Sequence, residues 1–199
     1  VAVNASLSVK WLIPRLADFA RRHPDIRLHL SDLAPHALSS RGADFLLRFL
    51  SLGQIDSLNA TALCPVHIGL VAAPDILEHD PDLLKTSRLV VRTHAHGWSE
   101  WARLSGHDAP RTPERPVAHL HYALDAALAG WGAAILPWTL VSDDVLSGRL
   151  LAPFGFVADG GCLALIDGEG ASGRARRIFE QWLKAQAFAP PPDLKTTIV

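Results

Sequence analysis

The first 24 residues constrain the fold most strongly, because three kinds of local structure follow one another in VAVNASLSVKWLIPRLADFARRHP. Val1–Val3 predicts a short buried strand, and the next three residues predict a polar loop. Helical spacing of apolar side chains then predicts an amphipathic helix that stops at Pro24. A strand that enters a helix through a polar loop also places free backbone N–H groups where an anion can bind.

Details of this helix leave two questions open. Ser6 or Ser8 is expected to cap it, and the same side chains are candidates for anion binding. Pro14 either starts the regular helix or kinks it. The inward side chains are predicted to be Leu12, Ile13, Leu16, Phe19 and Ala20.

Strands and helices are predicted to alternate along the rest of the chain, which indicates an α/β protein with a mostly parallel sheet. Ile26–Leu30 alternates as a half-exposed strand, whereas Asp44–Leu50 is an apolar run typical of a strand buried on both faces. Residues 53–57 are expected to form a loop. The later predicted strands are Leu58–Cys64, Val66–Ala72, Arg88–Arg92, Val117–Leu120, Ala133–Leu136, Leu150–Pro153 and Cys162–Ile166.

Composition excludes several classes of protein. Hydrophobic residues make up 49% and charged residues 20%, a balance typical of globular proteins. No apolar run approaches the roughly 20 residues that span a membrane, and no secretory signal is recognisable. The formal net charge is −1, and no basic patch indicates nucleic-acid binding. The chain starts at Val1 and contains no Met, so we expect a preceding segment.

Motifs for catalysis and metal binding are weak. Cys64 and Cys162 favour buried free thiols in a reducing compartment, with a disulfide as the alternative. The pairs His94-x-His96 and His119-x-His121, with His107, suggest chelation, but no spacing fixes a third ligand. The sequence has no G-x-S-x-G motif, and its Gly130–Gly132 pair ends a helix rather than opening one. We therefore predict no metal, no cofactor and no enzymatic activity.

Several segments in order resemble one protein family. SVKWLIPRLADFARRHPDIRLHL (8–30), GADFLLRF (42–49) and HLHYALDAALAGWGAAILPWTLVSDDVLSGRLLAPF (119–154) are similar to the effector-binding domain of LysR-type transcriptional regulators. The final helix, with Phe179 and Trp182, also fits. The stretch KWLIPRL resembles the glycine-cleavage and β-lactamase regulator subgroup most.

The resemblance implies a particular architecture. It consists of two Rossmann-like lobes joined by two crossover strands, as in type 2 periplasmic binding proteins. Lobe I would contain residues 1–66 and 161–187, lobe II residues 67–160, and residues 188–199 would form a disordered tail. In the family a winged helix-turn-helix domain precedes this one, so DNA would be bound only through that absent N-terminal domain.

The resemblance also implies a function. The chain would be the ligand-sensing and dimerising domain of a cytoplasmic bacterial regulator, with a small-molecule effector between the lobes. It would form a homodimer, and a tetramer in the full-length protein, without membrane contact. The alternative is a periplasmic solute-binding protein of a transporter, which shares the lobed fold; the upstream sequence would separate the two.

Nine residues are candidates for effector binding, taken from the family's first effector loop, the strand with the arginine and the start of a later helix: Asn4, Ser6, Leu7, Ser8, Arg48, Phe49, His119, His121 and Tyr122. Arg48 suits a carboxylate effector, since a guanidinium matches it bidentately. Its alternative is an ion pair with Asp44 or Asp56, and for His121 and Tyr122 the alternative is ordinary packing.

Two helices are expected to form the dimer contact that the family uses. The helix Lys10–Arg22 is predicted to expose Trp11, and the helix Trp138–Ser147 is predicted to expose Trp138 and Leu140. Across a two-fold axis, Arg15 and Arg22 would meet Asp143 or Asp144.

Overall fold

Two compact units make up the chain in the computed structural model, which describes residues 1–34, 37–39, 41–83, 85–168, 173–186 and 190–192. Unit 1 contains Val1–Val66 and the stretch from Gly160, and unit 2 contains His67–Asp159. Two 11-residue strands, β4 (Thr61–Val71) and β8 (Val157–Asp167), each carry the chain from one unit to the other. The α/β fold with two crossover strands is therefore as predicted.

Unit 1 is built on strands in the order β2-β1-β3-β8. β1 (Ala2–Val3) pairs in parallel with both β2 (Ser31–Asp32) and β3 (Phe45–Ser51). β3 pairs antiparallel with β8, so that Phe45 faces Asp167 and Arg48 faces Ala164. The sheet is therefore mixed, because a crossover strand returns in the opposite direction. The core between these strands contains Ala2, Leu33, Ala43, Leu46, Leu50, Ala164 and Ile166.

The first helix begins earlier than predicted and contains an irregular turn. It consists of α1 (Ala5–Leu7), a π-helical turn (Ser8–Leu12) and α2 (Ile13–Arg22). Pro14 is the second residue of α2, and the N–H of Ile13 bonds to Ser8 O, five residues back. Proline has no N–H to give and its ring crowds the preceding turn, so the wider π turn accommodates it inside one helical run.

The exposure of this helix corrects two expectations. Leu12 and Phe19 are buried and Leu16 is half-buried, as predicted, but Ile13 and Ala20 are exposed. The wide π turn holds more residues per turn than an α turn, so the residues after it point in different directions than in an unbroken α-helix and the inward face shifts. Trp11, expected at the surface, is completely buried.

The last helix, α8 (Gly173–Gln186), packs against α2 through aromatic side chains. Phe19 contacts Phe179 edge-on at 5.5 Å between ring centroids and Trp182 at 5.0 Å. Trp182 also donates its indole N–H to Asp18. Edge-to-face aromatic pairs add to the burial energy of such a core, so these contacts fix the two ends of the chain together within unit 1.

Unit 2 has strands in the order β4-β7-β5-β6. β5 (Arg88–Val91) lies parallel to both β6 (Glu114–Val117) and β7 (Ala133–Pro137), and β4 runs antiparallel to β7. Its helices are α4 (Pro74–His79), α5 (Gly97–Ser105), α6 (Leu120–Leu128) and α7 (Trp138–Leu146), with a 3-10 turn at Arg92–His94.

Several local predictions are wrong, including the strand predicted at Val117–Leu120, since β6 ends at Val117 and α6 begins at Leu120. Ile26–Leu30 is irregular, and only the two residues of β2 pair there. The two strands predicted around Pro65 form the single strand β4. Residues 52–57 form α3 (Leu52–Ser57), held by a reciprocal capping box between Ser51 and Gln54. The strand predicted at Leu150–Pro153 is reduced to an isolated bridge between Leu151 and Ala72.

The expected dimer face also differs from the structure. Trp138 and Leu140 are buried, and Asp144 is buried and pairs with Arg149 at 2.5 Å. The large apolar side chains that are exposed on these helical segments are instead Val9, Ile13 and Leu146. Six of the nine residues of α7 are buried, Trp138 and Leu140 among them, so its apolar side is packed within the chain.

Several remaining predictions concern single features. Both cysteines are thiols outside any disulfide, Cys64 buried and Cys162 half-buried. Among the described residues, none of the helices combines the length and the apolar character needed to cross a membrane. The predicted tail at residues 188–199 lies outside the described residues except for 190–192.

Candidate functional site

The candidate loop after β1 is a helix start rather than an open loop. Asn4 has an extended backbone, and its Oδ1 accepts a hydrogen bond from the N–H of Leu7 at 3.0 Å. Asn4 is therefore the N-cap, and the expectation that Ser6 or Ser8 caps the helix is wrong. The helix begins at Ala5, one residue before Ser6 and three before Ser8, so both hydroxyls lie on its first turns.

Ser6, Leu7 and Ser8 are all buried, with 6%, 0% and 9% of their surface exposed. The N–H of Ser8 already bonds to Asn4 O at 2.9 Å. Leu7 packs into the core of unit 1. The two serines keep polar groups at the positive end of the helix dipole, which is the electrostatic setting that favours an anion.

Arg48 lies on β3, half-buried, with its guanidinium turned towards backbone carbonyls. Its Nη1 donates to the carbonyl of Ala37, and its Nε lies 3.5 Å from the carbonyl of Phe49. Partial burial lowers the pKa of Arg48, because the charged form loses hydration. Within the described residues Arg48 pairs with neither Asp44 nor Asp56.

The contact with Ala37 was not predicted. It holds the Arg48 side chain in place from a segment 11 residues earlier in the sequence. Every residue has a backbone carbonyl, so the amino-acid types of that segment do not reveal which carbonyl accepts the hydrogen bond from Arg48. Phe49, the next residue of β3, is half-buried on the opposite face of the strand.

The third candidate group stands at the start of α6 in unit 2. His119 has an extended backbone, and its carbonyl accepts from the N–H groups of Tyr122 and Ala123 at 3.1 and 3.2 Å. The rings of His119 and His121 stack at 5.4 Å, only 6° from parallel. Tyr122 lies edge-on to both rings and is 51% exposed. These three rings form an aromatic cluster that presents imidazole and phenol groups to solvent.

The nine candidates therefore form two sets. Unit 1 brings together Asn4, Ser6, Leu7 and Ser8 after β1 and Arg48 and Phe49 on β3, a direct parallel neighbour of β1. Unit 2 brings together the aromatic cluster His119, His121 and Tyr122.

In the described part of the chain, no three His, Cys, Asp or Glu side chains are grouped to hold a metal ion. His107 stacks on Trp101 at 6.0 Å and lies 4.5 Å from Phe154. Its ring is therefore part of a packed aromatic group.

Comparison with known proteins shows the family. The family model described as the LysR substrate binding domain matches residues 1–188. The HTH-type transcriptional regulator TrpI of Pseudomonas aeruginosa is 34% identical over 196 residues, which cover 94% of this chain and 66% of that protein. The glycine cleavage system transcriptional activator of Escherichia coli K12 is 26% identical over 200 residues, 95% of this chain and 65% of that protein.

Solved structures show the same fold. The effector domain of the transcriptional regulator AmpR of Pseudomonas aeruginosa superposes with a TM-score of 0.74 at 26% identity, over 94% of this chain and 93% of that chain. The chain spans about two thirds of the length of the curated relatives it matches. The predicted resemblance is confirmed: the chain belongs to the family of LysR substrate-binding domains.

Proposed function

We propose that this chain is the effector-binding part of a bacterial transcriptional regulator, in which a small molecule controls DNA binding by a separate N-terminal domain. The family match over residues 1–188 carries this proposal. The relatives named above are transcriptional regulators, so a periplasmic solute-binding protein is not favoured, and neither is an enzyme. A regulator of this kind would act in the cytoplasm.

For the effector we propose a small carboxylate, with the candidate residues of unit 1 as its anion-binding group. The supporting features are the buried serines at a helix start and the guanidinium of Arg48 on the neighbouring strand. Ala37 and Phe49 orient the Nη1 and Nε edge of Arg48, and the Nη2 group makes no hydrogen bond within the described residues. A held guanidinium binds a carboxylate with less loss of side-chain freedom. In unit 2, we propose Tyr122 and the two stacked histidines as further effector-binding residues.

Isothermal titration with a panel of small carboxylates tests this proposal. We expect one compound to bind with a stoichiometry of one per chain, and Arg48→Ala to weaken it by about tenfold or more, since a charge-assisted pair is lost. Arg103→Ala, an exposed arginine on α5, is the matched control. Binding that is unchanged by both Arg48→Ala and Tyr122→Ala would contradict the proposed site.

We also propose that the chain forms a homodimer, and a tetramer in the full-length protein, through the exposed parts of the π-helical turn, α2 and α7. The exposed apolar residues Val9, Ile13 and Leu146 would carry the contact, with Asp143 at its edge. Arg22 bonds to Asp18 and Arg15 to the carbonyl of Trp11, so charge pairing would contribute little. Sedimentation of Ile13→Asp and Leu146→Asp tests this: a dimer for the unmodified chain and monomers for both variants are expected, and a monomeric unmodified chain at tens of micromolar would exclude it.

A further inference from the structure

An open pocket of about 540 Å³ lies in unit 1 at the amino ends of β1 and β3. Val1 and Phe45, which stand at those ends, both line it. Asn4 comes after the other end of β1, and Arg48 lies further along β3. None of the nine candidate effector residues is among its lining residues. Its volume is in the range of small-molecule sites in proteins.

One side of the pocket is apolar and rigid. Phe45 and Phe179 both line it, are almost completely buried, and contact each other at 5.5 Å between ring centroids. Ile26, Leu28 and Ala175 extend this apolar side. Because Phe179 is held by Phe19 and Trp182 behind it, the apolar floor is fixed before any ligand arrives.

The rim of the pocket is positively charged. Three of its lining residues are arginines: Arg27, Arg41 and Arg176. Arg176 is already neutralised by Asp167 at 2.6 Å and by Glu180 at 2.9 Å. Arg27 and Arg41 are exposed, and neither has an ion pair or hydrogen bond recorded within the described residues. Among the described residues that line the pocket, one carries a carboxylate, Asp44.

We propose that this pocket is a second ligand site, which takes a small monocarboxylate with an apolar body. Arg27 and Arg41 would hold the carboxylate, since guanidinium donors match its two oxygens. The apolar body would pack on Phe45 and Phe179. Asp44 opposes a second negative charge, which argues against phosphate esters and dicarboxylates, and two arginines beside one carboxylate argue against a metal ion.

NMR titration of the ¹⁵N-labelled 199-residue chain tests the proposal, with 3-phenylpropionate as the probe. We expect saturable shifts of the amides of Gly42, Ala43, Phe45 and Ala175. The neutral 3-phenylpropanamide and the small acetate ion should each produce much weaker shifts. The amide lacks the negative charge of the carboxylate, and acetate lacks the apolar body.

Variants then separate this pocket from the proposed effector site. Arg27→Ala with Arg41→Ala should weaken probe binding by about tenfold or more, while Arg174→Ala with Arg177→Ala, two exposed arginines of α8 outside the pocket, should leave it unchanged. Ala175→Phe should block binding by filling the pocket. Arg48→Ala should have no effect on this site.

Three results would overturn the proposal. The first is an absence of saturable shifts at Gly42, Ala43, Phe45 and Ala175. The second is equal binding of the amide and the acid. The third is a set of shifts confined to the surroundings of Ser6, Arg48 and Tyr122, which would place the probe in the proposed effector site instead.

Discussion

The indole N–H of Trp182 donates a hydrogen bond to Oδ2 of Asp18 over 3.1 Å, across 164 residues of sequence. The same carboxylate accepts from Arg22 Nε at 2.9 Å. Asp18 thereby connects α2 to α8, two helices that also contact each other through Phe19 and Phe179. The two ends of unit 1, which come from opposite ends of the chain, are joined by one polar bond and one aromatic core.

This bond predicts a pH dependence of stability. The hydrogen bond from Trp182, followed by that from Arg22, lowers the pKa of Asp18 below its ordinary value of 3.8. Asp18 therefore contributes stability that is fully present above pH 3.8 and is lost as the pH falls through the lower pKa of the folded state. Asp18→Asn should lower the melting temperature at pH 7 and converge with the unmodified chain in acid.

Thermal melting of both proteins between pH 2 and pH 7 measures this difference. Asp25→Asn, on the exposed segment after α2, is the matched control and should leave the melting temperature unchanged at pH 7. If the difference in melting temperature between Asp18→Asn and the unmodified chain stayed constant down to the lowest pH, the charge of Asp18 would make no contribution to stability.

Removal of the Phe179 ring should strongly destabilise unit 1. The ring is 1% exposed and contacts Phe19, Phe45 and Trp182. Phe179→Ala should cost about 3–5 kcal/mol of unfolding free energy, because it leaves a cavity among three aromatic rings. Urea denaturation measures it, and Leu52→Ala, at a 60% exposed side chain, should change stability by less than about 0.5 kcal/mol.

Two glycines should respond in opposite ways to the same substitution. A Cβ at Gly69 on β4 would come within 2.6 Å of the Phe156 ring and 2.7 Å of the carbonyl of Gly155. Gly69→Ala should therefore cost about 1–3 kcal/mol through overpacking. A Cβ at Gly53 in α3 meets nothing within 4 Å, so Gly53→Ala should stabilise by about 0.4–1 kcal/mol. Equal effects in urea denaturation would show that the close approach at Gly69 is relieved by movement.

The cap at Asn4 should contribute measurably to stability. Asn4→Ala removes the acceptor for the N–H of Leu7 and should cost about 0.5–2 kcal/mol. Asn4→Asp keeps an acceptor at the same place and should retain most of the stability. If Asn4→Ala instead left the urea midpoint unchanged while Ser6→Ala lowered it, the cap would belong to the serine as the sequence suggested.

The family was recognisable from residue patterns, while individual contacts were not. Apolar spacing placed Leu12 and Phe19 inward because a helix brings every third or fourth residue to one face. The positions of proline and glycine predicted most helix and strand boundaries to within a few residues. These signals are local, and they agree with the structure wherever neighbouring residues alone decide the outcome.

Tertiary packing decided the rest. Trp11 was expected at the surface beside arginines, but the π turn before Pro14 rotates it into the core. Asn4 rather than Ser6 caps the helix, because the short strand β1 ends at Val3 and leaves Asn4 extended. The Ala37 carbonyl that holds Arg48 and the pocket lined by Phe45 and Phe179 depend on contacts between separate segments. The residue pattern determined which family this chain belongs to, and the contacts between distant segments determined which side chains are available to bind.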